Sequence, residues 1–199
     1  RSGLFGALSL AAAVFSYALY PILAHILNTR EFGDFTVIVA FSNQLLGVLL
    51  AFNVISIYLV KSQSEEKARS HAQIIQKSLV WILIALTSAL LLASPFLNNV
   101  LKIDNPLYFI ILGLILLASV PNIIWTGYLQ GHKELVRVGS AGLVASIVKM
   151  VFVCLLAIVF GAAGGLVGVL ISALIGLLVL RLIPGIKPPN LSSLFTKSD

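Results

Sequence analysis

Apolar residues in this chain come in long runs that are separated by short polar segments. The runs cover residues 4–27, 35–60, 74–97, 107–129, 138–160 and 163–183. Each run has about the 20 residues that a helix needs to cross a hydrocarbon core of roughly 30 Å. A helix also satisfies its own backbone groups in lipid. The pattern therefore predicts an all-α, polytopic membrane bundle of about six transmembrane helices.

The polar segments predict where the chain turns and where the bundle ends. The shortest connection, between the fifth and sixth runs, centres on Gly161. Residues 184–199 are rich in Pro and Ser, which is typical of a linker. We therefore expect a transmembrane lobe over residues 1–183 and a cytoplasmic tail over residues 184–199.

Lys and Arg residues fall mainly on one side of the predicted bundle. Ten of them share that side, and only Arg30 and Lys102 lie on the other. The ten are Arg1, Lys61, Lys67, Arg69, Lys77, Lys133, Arg137, Arg181, Lys187 and Lys197. Because basic residues collect in cytoplasmic loops, both termini are predicted to lie in the cytoplasm. The net charge of +6 thus reflects topology and does not indicate a nucleic-acid partner.

Composition agrees with a membrane protein and offers little chemistry for an enzyme. The chain is 59% hydrophobic and 10% charged, whereas about a quarter of the residues in a soluble domain are charged. Its one cysteine, Cys154, excludes an intrachain disulfide and a thiolate cluster. The three histidines are scattered, and no phosphate-loop, dinucleotide or metalloprotease motif occurs. We predict a protein that is not an enzyme and needs no metal or cofactor.

Lys149 is the only charged residue well inside a predicted span. An ammonium at the bilayer centre costs about 2.5–3.5 kcal/mol on insertion scales. The residue lies about 16 Å of helix rise from the cytoplasmic edge, and a lysine side chain reaches about 6 Å. One interpretation is a cation that faces a water-filled cavity and is ready for an anionic group such as a phosphate. The other is partial snorkelling, or a partner in a segment outside this chain.

Polar residues form stripes along three other predicted helices. Asn43 and Gln44 belong to the stripe in the second span, and Asn122 belongs to the stripe in the fourth. The stripe in the first span consists of Ser9, Ala13, Ser16, Tyr17, Tyr20 and Ala24. Each stripe alone is explained by hydrogen bonds between helices, but three stripes together favour a shared polar cavity.

Small residues recur at every fourth position in the sixth span, at Gly164, Gly168, Ser172 and Gly176. Such a ladder brings one face of a helix close to a neighbouring backbone. We therefore predict that this face packs tightly against another helix.

Two segments resemble the polysaccharide-biosynthesis flippases of the multidrug, oligosaccharidyl-lipid and polysaccharide exporter superfamily. Residues 23–41, LAHILNTREFGDFTVIVAF, resemble the junction between the first two spans of that family. Residues 128–151, YLQGHKELVRVGSAGLVASIVKMV, resemble the connection between the fourth and fifth spans. The predicted spans fit the family along nearly the whole chain.

This resemblance implies a flippase that carries lipid-linked oligosaccharides across a bacterial or archaeal cytoplasmic membrane. Family members resemble two helical lobes around a central cavity, so the chain would be the N-terminal half. Its partner would be a missing C-terminal lobe or a second copy of the chain. Because the substrate carries a pyrophosphate, Lys149 is the candidate for contacting that group. Asn43, Gln44 and Asn122 are weaker candidates that would line the cavity.

Two other functions remain open at this point. A drug/cation antiporter of the same superfamily relies on carboxylates inside the membrane, and the predicted spans contain none. A membrane scaffold or a membrane enzyme is the other alternative. An enzyme that acts on polyprenyl phosphates would need acidic residues near the membrane surface to hold a metal. The acidic residues of this chain are instead split between the two predicted faces.

Overall fold

The computed structural model describes residues 2–62, 65–101, 103 and 105–182. The predicted tail, residues 184–199, lies outside the described residues, as do Arg1 and Lys102. Every element in the described part is a helix: α1 (Ser2–Ile26), α2 (Thr29–Ser62), α3 (Glu65–Leu101), α4 (Leu107–Gly131) and α5 (Leu135–Leu182). Each contains a stretch that is long and apolar enough to cross a membrane. The prediction of an all-α polytopic membrane bundle is confirmed.

The number of helices differs from the predicted six. The described part of the chain has five, because the predicted fifth and sixth spans belong to one element, α5. Gly161 interrupts α5 with a backbone conformation (φ 61°, ψ −145°) that is not helical. A single glycine makes this break, with no loop on either side, so helical structure resumes at the next residue.

The two halves of α5 fold back on each other at Gly161. A Cβ added at Gly164 would contact Leu156, and one added at Gly176 would lie 3.4 Å from the Cβ of Ala145. At Gly168 the added atom would lie 2.7 Å from the backbone nitrogen of Val153. Successive glycines of the second half thus face residues of the first half whose numbers decrease, from Leu156 through Val153 to Ala145. The halves are therefore antiparallel, and the predicted tight packing of the glycine ladder is confirmed.

The connection between α1 and α2 is shorter than the predicted polar turn of residues 28–34. Only Leu27 and Asn28 separate the two helices. The side-chain oxygen of Asn28 accepts a hydrogen bond from the backbone N–H of Glu31 at 2.9 Å. This is an N-cap, in which an Asn side chain replaces a missing helical acceptor and lets the helix begin early.

Helix α4 occupies the centre of the described bundle and contacts α2, α3 and α5. Its residues Leu112, Leu116 and Ile124 are fully buried. By contrast, α1 packs mainly against α5 and makes few contacts with α2, although α1 and α2 are consecutive. This arrangement leaves a cleft between α1 and α2, with α5 behind it.

Candidate functional site

Lys149 lies where three cavities meet, on the first half of α5. The cavities have volumes of about 340, 350 and 120 Å³, and Lys149 is the only described residue that lines all three. Its ammonium makes no ion pair or hydrogen bond with any residue that the structure describes. An unpaired charge is costly in an apolar region, so this position calls for water or an anionic group.

The cavity of 340 Å³ lies between α1, α4 and the two halves of α5. Its polar lining comes from Ser16, Asn122, Thr126, Ser146, Lys149 and Ser172, and small residues such as Gly142, Ala145 and Gly176 make the space. The volume is at the lower end of the range of about 300–1,000 Å³ that is typical of ligand pockets.

Asn122 is held in the wall of this cavity by its amide nitrogen. The Nδ2 group donates to the carbonyl oxygen of Ala173 at 2.7 Å and to that of Ala118 at 3.2 Å. The first of these bonds joins α4 to the second half of α5. Both N–H donors are thereby used, which leaves the side-chain oxygen as an acceptor. Such an oxygen suits a hydroxyl group or water and does not suit a phosphate.

Serine hydroxyls in the same cavity also donate to backbone carbonyls. Ser146 donates to Gly142 at 2.9 Å, and Ser172 donates to Val169 at 2.7 Å. Their oxygens keep acceptor lone pairs. The cavity therefore offers acceptors around one cationic donor, Lys149.

The cavity of 350 Å³ lies between α1, α2 and α5, in the cleft that separates α1 from α2. Five of its six lining residues are polar: Ser16, Tyr17, Tyr20, Asn43 and Lys149. The structure thus brings Asn43 and Lys149 together in one cavity. The cavity also contains Tyr17 and Tyr20, which belong to the polar stripe of the first predicted span but are not among the predicted binding residues. The one feature of the sequence that could have identified them as binding residues is their position beside Ser16 on the same helix face.

Gln44 follows Asn43 in the chain but does not line any of the three cavities. Its side chain is exposed. Successive residues of a helix point about 100° apart, because an α-helix has about 3.6 residues per turn. Of the four predicted residues, Lys149, Asn43 and Asn122 line these cavities and Gln44 lies outside them.

In the part of the chain that the structure describes, acidic side chains do not line these cavities. Glu31 and Asp34 lie in the first turns of α2, and Glu134 lies before α5. Among the described residues, no group of three or more His, Cys, Asp or Glu side chains comes together. The chemistry of the site is therefore that of one cation and several uncharged polar groups.

A family model described as polysaccharide biosynthesis protein matches residues 4–194. The chain belongs to this family. The match covers all of α2 to α5 and nearly all of α1, so it includes every residue that lines the three cavities. It confirms the family that the two sequence segments indicated. No curated protein and no solved structure matches the chain.

Membership in the polysaccharide biosynthesis protein family agrees with what the site offers. The five apolar helices of this family member identify it as a multi-pass membrane protein. Uncharged polar groups beside a single ammonium suit a substrate that combines hydroxyl groups with a phosphate.

Proposed function

We propose that this chain forms part of a transporter that moves lipid-linked oligosaccharides across the cytoplasmic membrane. Lys149 contacts the pyrophosphate of the substrate in this proposal. The observation that carries it is the position of an ammonium without an acidic partner, among the described residues, at the junction of three cavities. The family membership supplies the context of polysaccharide biosynthesis.

The charges of the site support an anionic substrate. A hydrogen bond between an ammonium and a phosphate is charge-assisted and roughly twice as strong as a neutral one. Among the described residues, no carboxylate lines the three cavities, so none of them competes for Lys149 or repels an anion there. A drug/cation antiporter would need the opposite sign of charge at this position.

The open side of the site supports a substrate with a lipid tail. Tyr17 lines the cleft cavity and is 76% exposed, so this cavity opens to the surface of the bundle. The neighbouring exposed side chains of α1 are apolar, including Leu10 and Val14. A polyprenyl chain can remain beside this apolar surface while its polar head group enters the cleft.

One lobe supplies one wall of the transport path in this proposal. The opposite wall comes from a C-terminal lobe or from a second copy of the chain, and both termini face the cytoplasm. The uneven distribution of Lys and Arg supports this orientation.

The test replaces Lys149 with Ala in the full-length protein, in cells that depend on it for surface polysaccharide. Loss of one charge-assisted hydrogen bond, about 1.5–3 kcal/mol, should lower export about tenfold or more. Lys149→Arg keeps the charge and should retain more export than Lys149→Ala. Lys61→Ala is the matched control, because it removes an exposed lysine at the end of α2.

Membrane levels of each variant are measured by immunoblot, so that export is compared at equal amounts of protein. Lys61→Ala should export at the rate of the unchanged protein. Export by Lys149→Ala at that same rate would contradict the role of Lys149.

A further inference from the structure

We propose that Tyr17 and Tyr20 form a saccharide-binding subsite beside Lys149, which takes the sugar attached to the pyrophosphate. The inference rests on the proposed function and extends it to a second part of the substrate. Both tyrosines line the cleft cavity together with Ser16, Asn43 and Lys149. Because they are three residues apart on α1, they lie on the same helix face.

The two tyrosines differ in how firmly they are held. Tyr20 is partly buried and packs against the hydrophobic core. Tyr17 is 76% exposed and presents its ring to the cleft. One ring thus has a fixed position in the wall, and the other is accessible to a ligand.

Tyr17 does not have the position of an aromatic anchor at the membrane surface. Interfacial tyrosines lie at the ends of transmembrane helices. Tyr17 is in the middle of α1 (Ser2–Ile26), roughly 14 Å of helix rise from the nearer end. A phenolic hydroxyl at that depth is costly in lipid unless it has a polar partner. A polar cleft supplies the surroundings that the hydroxyl requires.

The polar groups of the cleft are free to bind a ligand. The hydroxyls of Tyr17 and Tyr20 and the amide of Asn43 make no hydrogen bond with any described residue. Each of these groups can both donate and accept, whereas an ammonium only donates. A phosphate accepts only, so it matches Lys149. A sugar hydroxyl both donates and accepts, so it matches the tyrosines and Asn43.

Aromatic rings add a second feature that suits a sugar. The flat, apolar C–H face of a pyranose packs on an aromatic ring, and the hydroxyls at its edge reach neighbouring polar groups. Tyrosine combines an apolar ring with a polar tip. Lys149 lines the same cavity, so pyrophosphate and first sugar would occupy adjacent positions.

The experiment measures binding of two lipids to the full-length protein in detergent micelles. One is a polyprenyl pyrophosphate that carries a single hexose, and the other is the same lipid without the hexose. Tyr17→Ala should weaken binding of the hexose lipid about three- to tenfold and leave the Kd of the hexose-free lipid unchanged. Tyr17→Phe keeps the ring and should lose less. Tyr58→Ala is the matched control, because Tyr58 is a tyrosine of α2 that is 67% exposed and lines none of the three cavities, and it should change neither Kd.

The outcomes separate this inference from the proposed function. Lys149→Ala should weaken binding of both lipids, because both carry the pyrophosphate. If Tyr17→Ala weakens both lipids equally, or neither, the saccharide subsite is overturned while the role of Lys149 stands. If Lys149→Ala changes neither Kd, the pyrophosphate contact of the proposed function fails. Tyr17 is exposed, so its truncation should leave the thermal stability of the protein unchanged.

Discussion

The carboxylate of Glu31, in the first turn of α2, lies directly against Gly161, where α5 reverses its direction. One helical turn further along, the ring of Phe35 lies 3.1 Å from the position that a Cβ would take on Gly165. Two residues of α2, four apart, thus face two glycines of α5, also four apart. The N-terminus of α2 and the reversal in α5 therefore lie at the same end of the bundle.

Gly161→Ala should destabilise the protein. The backbone at Gly161 (φ 61°, ψ −145°) is in a region that residues with a Cβ rarely adopt, which costs about 1–3 kcal/mol. The new methyl group would also collide with Glu31. Unfolding in mixed detergent micelles that contain SDS measures the change in the free energy of unfolding.

Gly47→Ala is the control for this prediction. Gly47 is helical and exposed, and a Cβ there would meet no atom within 4 Å. Stability should remain the same or increase slightly, because Ala is the better helix former. The double variant Glu31→Ala/Gly161→Ala should recover only the part of the loss that comes from the collision. Full stability of Gly161→Ala would rule out the backbone conformation described for this turn.

Trp125→Phe should weaken the attachment of α4 to the end of α5. The indole Nε1 of Trp125 donates to the carbonyl oxygen of Leu180 at 3.0 Å. Leu180 is in the last turn of α5, where carbonyl groups have no helical partner. Phenylalanine keeps the aromatic stacking on Tyr128 but cannot donate. We expect a loss of about 0.5–1.5 kcal/mol in the free energy of unfolding.

Trp81→Phe is the matched control, because Trp81 is 61% exposed on α3. This substitution should change stability much less than Trp125→Phe. Equal losses in the free energy of unfolding would mean that the hydrogen bond to Leu180 does not stabilise the protein, and that the loss comes only from replacing an indole by a smaller ring.

The helices and the reversal at Gly161 follow from local patterns, which is why the sequence predicts them. Hydrophobic length identifies a membrane helix without knowledge of its neighbours, and the glycine ladder indicates close packing without naming the partner. The six predicted spans become five helical elements because the fifth and sixth spans join at Gly161 without a loop, and the sequence does not reveal how short that connection is.

The site is less predictable because its members come from distant parts of the chain. Lys149 is conspicuous as an isolated charge, and the polar stripe of α1 is visible in the sequence. That Tyr17 and Tyr20 share a cavity with Lys149 depends on the packing of α1 against α5. Asn43 and Gln44 look equivalent in sequence, and only the rotation of α2 distinguishes them. Asn53, which donates to the carbonyl of Ile123 at 3.0 Å, does not belong to any predicted stripe.

Asn43→Ala should impair transport more than Gln44→Ala. Asn43 lines two of the cavities that Lys149 lines, whereas Gln44 lines none of the three. If Asn43 binds the polar head group, loss of one hydrogen bond should lower export about three- to tenfold. The measurement is surface polysaccharide at equal protein level. A larger effect for Gln44→Ala would place the transport path on a different face of α2, about 100° away from that of Asn43.

The membrane topology can be tested with single cysteines, since Cys154 is the only one in the chain. In a Cys154→Ala background, new cysteines are placed one at a time at Thr29, Lys133 and Phe160, whose side chains are exposed. A membrane-impermeant maleimide should label Thr29→Cys and Phe160→Cys in intact cells, because the contact between Glu31 and Gly161 puts these positions at one end of the bundle. Lys133→Cys, between α4 and α5, should be labelled only after the membrane is opened. A different result would be labelling of both Phe160→Cys and Lys133→Cys in intact cells, with no labelling of Thr29→Cys. It would mean that α5 does not cross the membrane twice. Labelling of Lys133→Cys alone in intact cells would instead reverse the orientation that the basic residues predict.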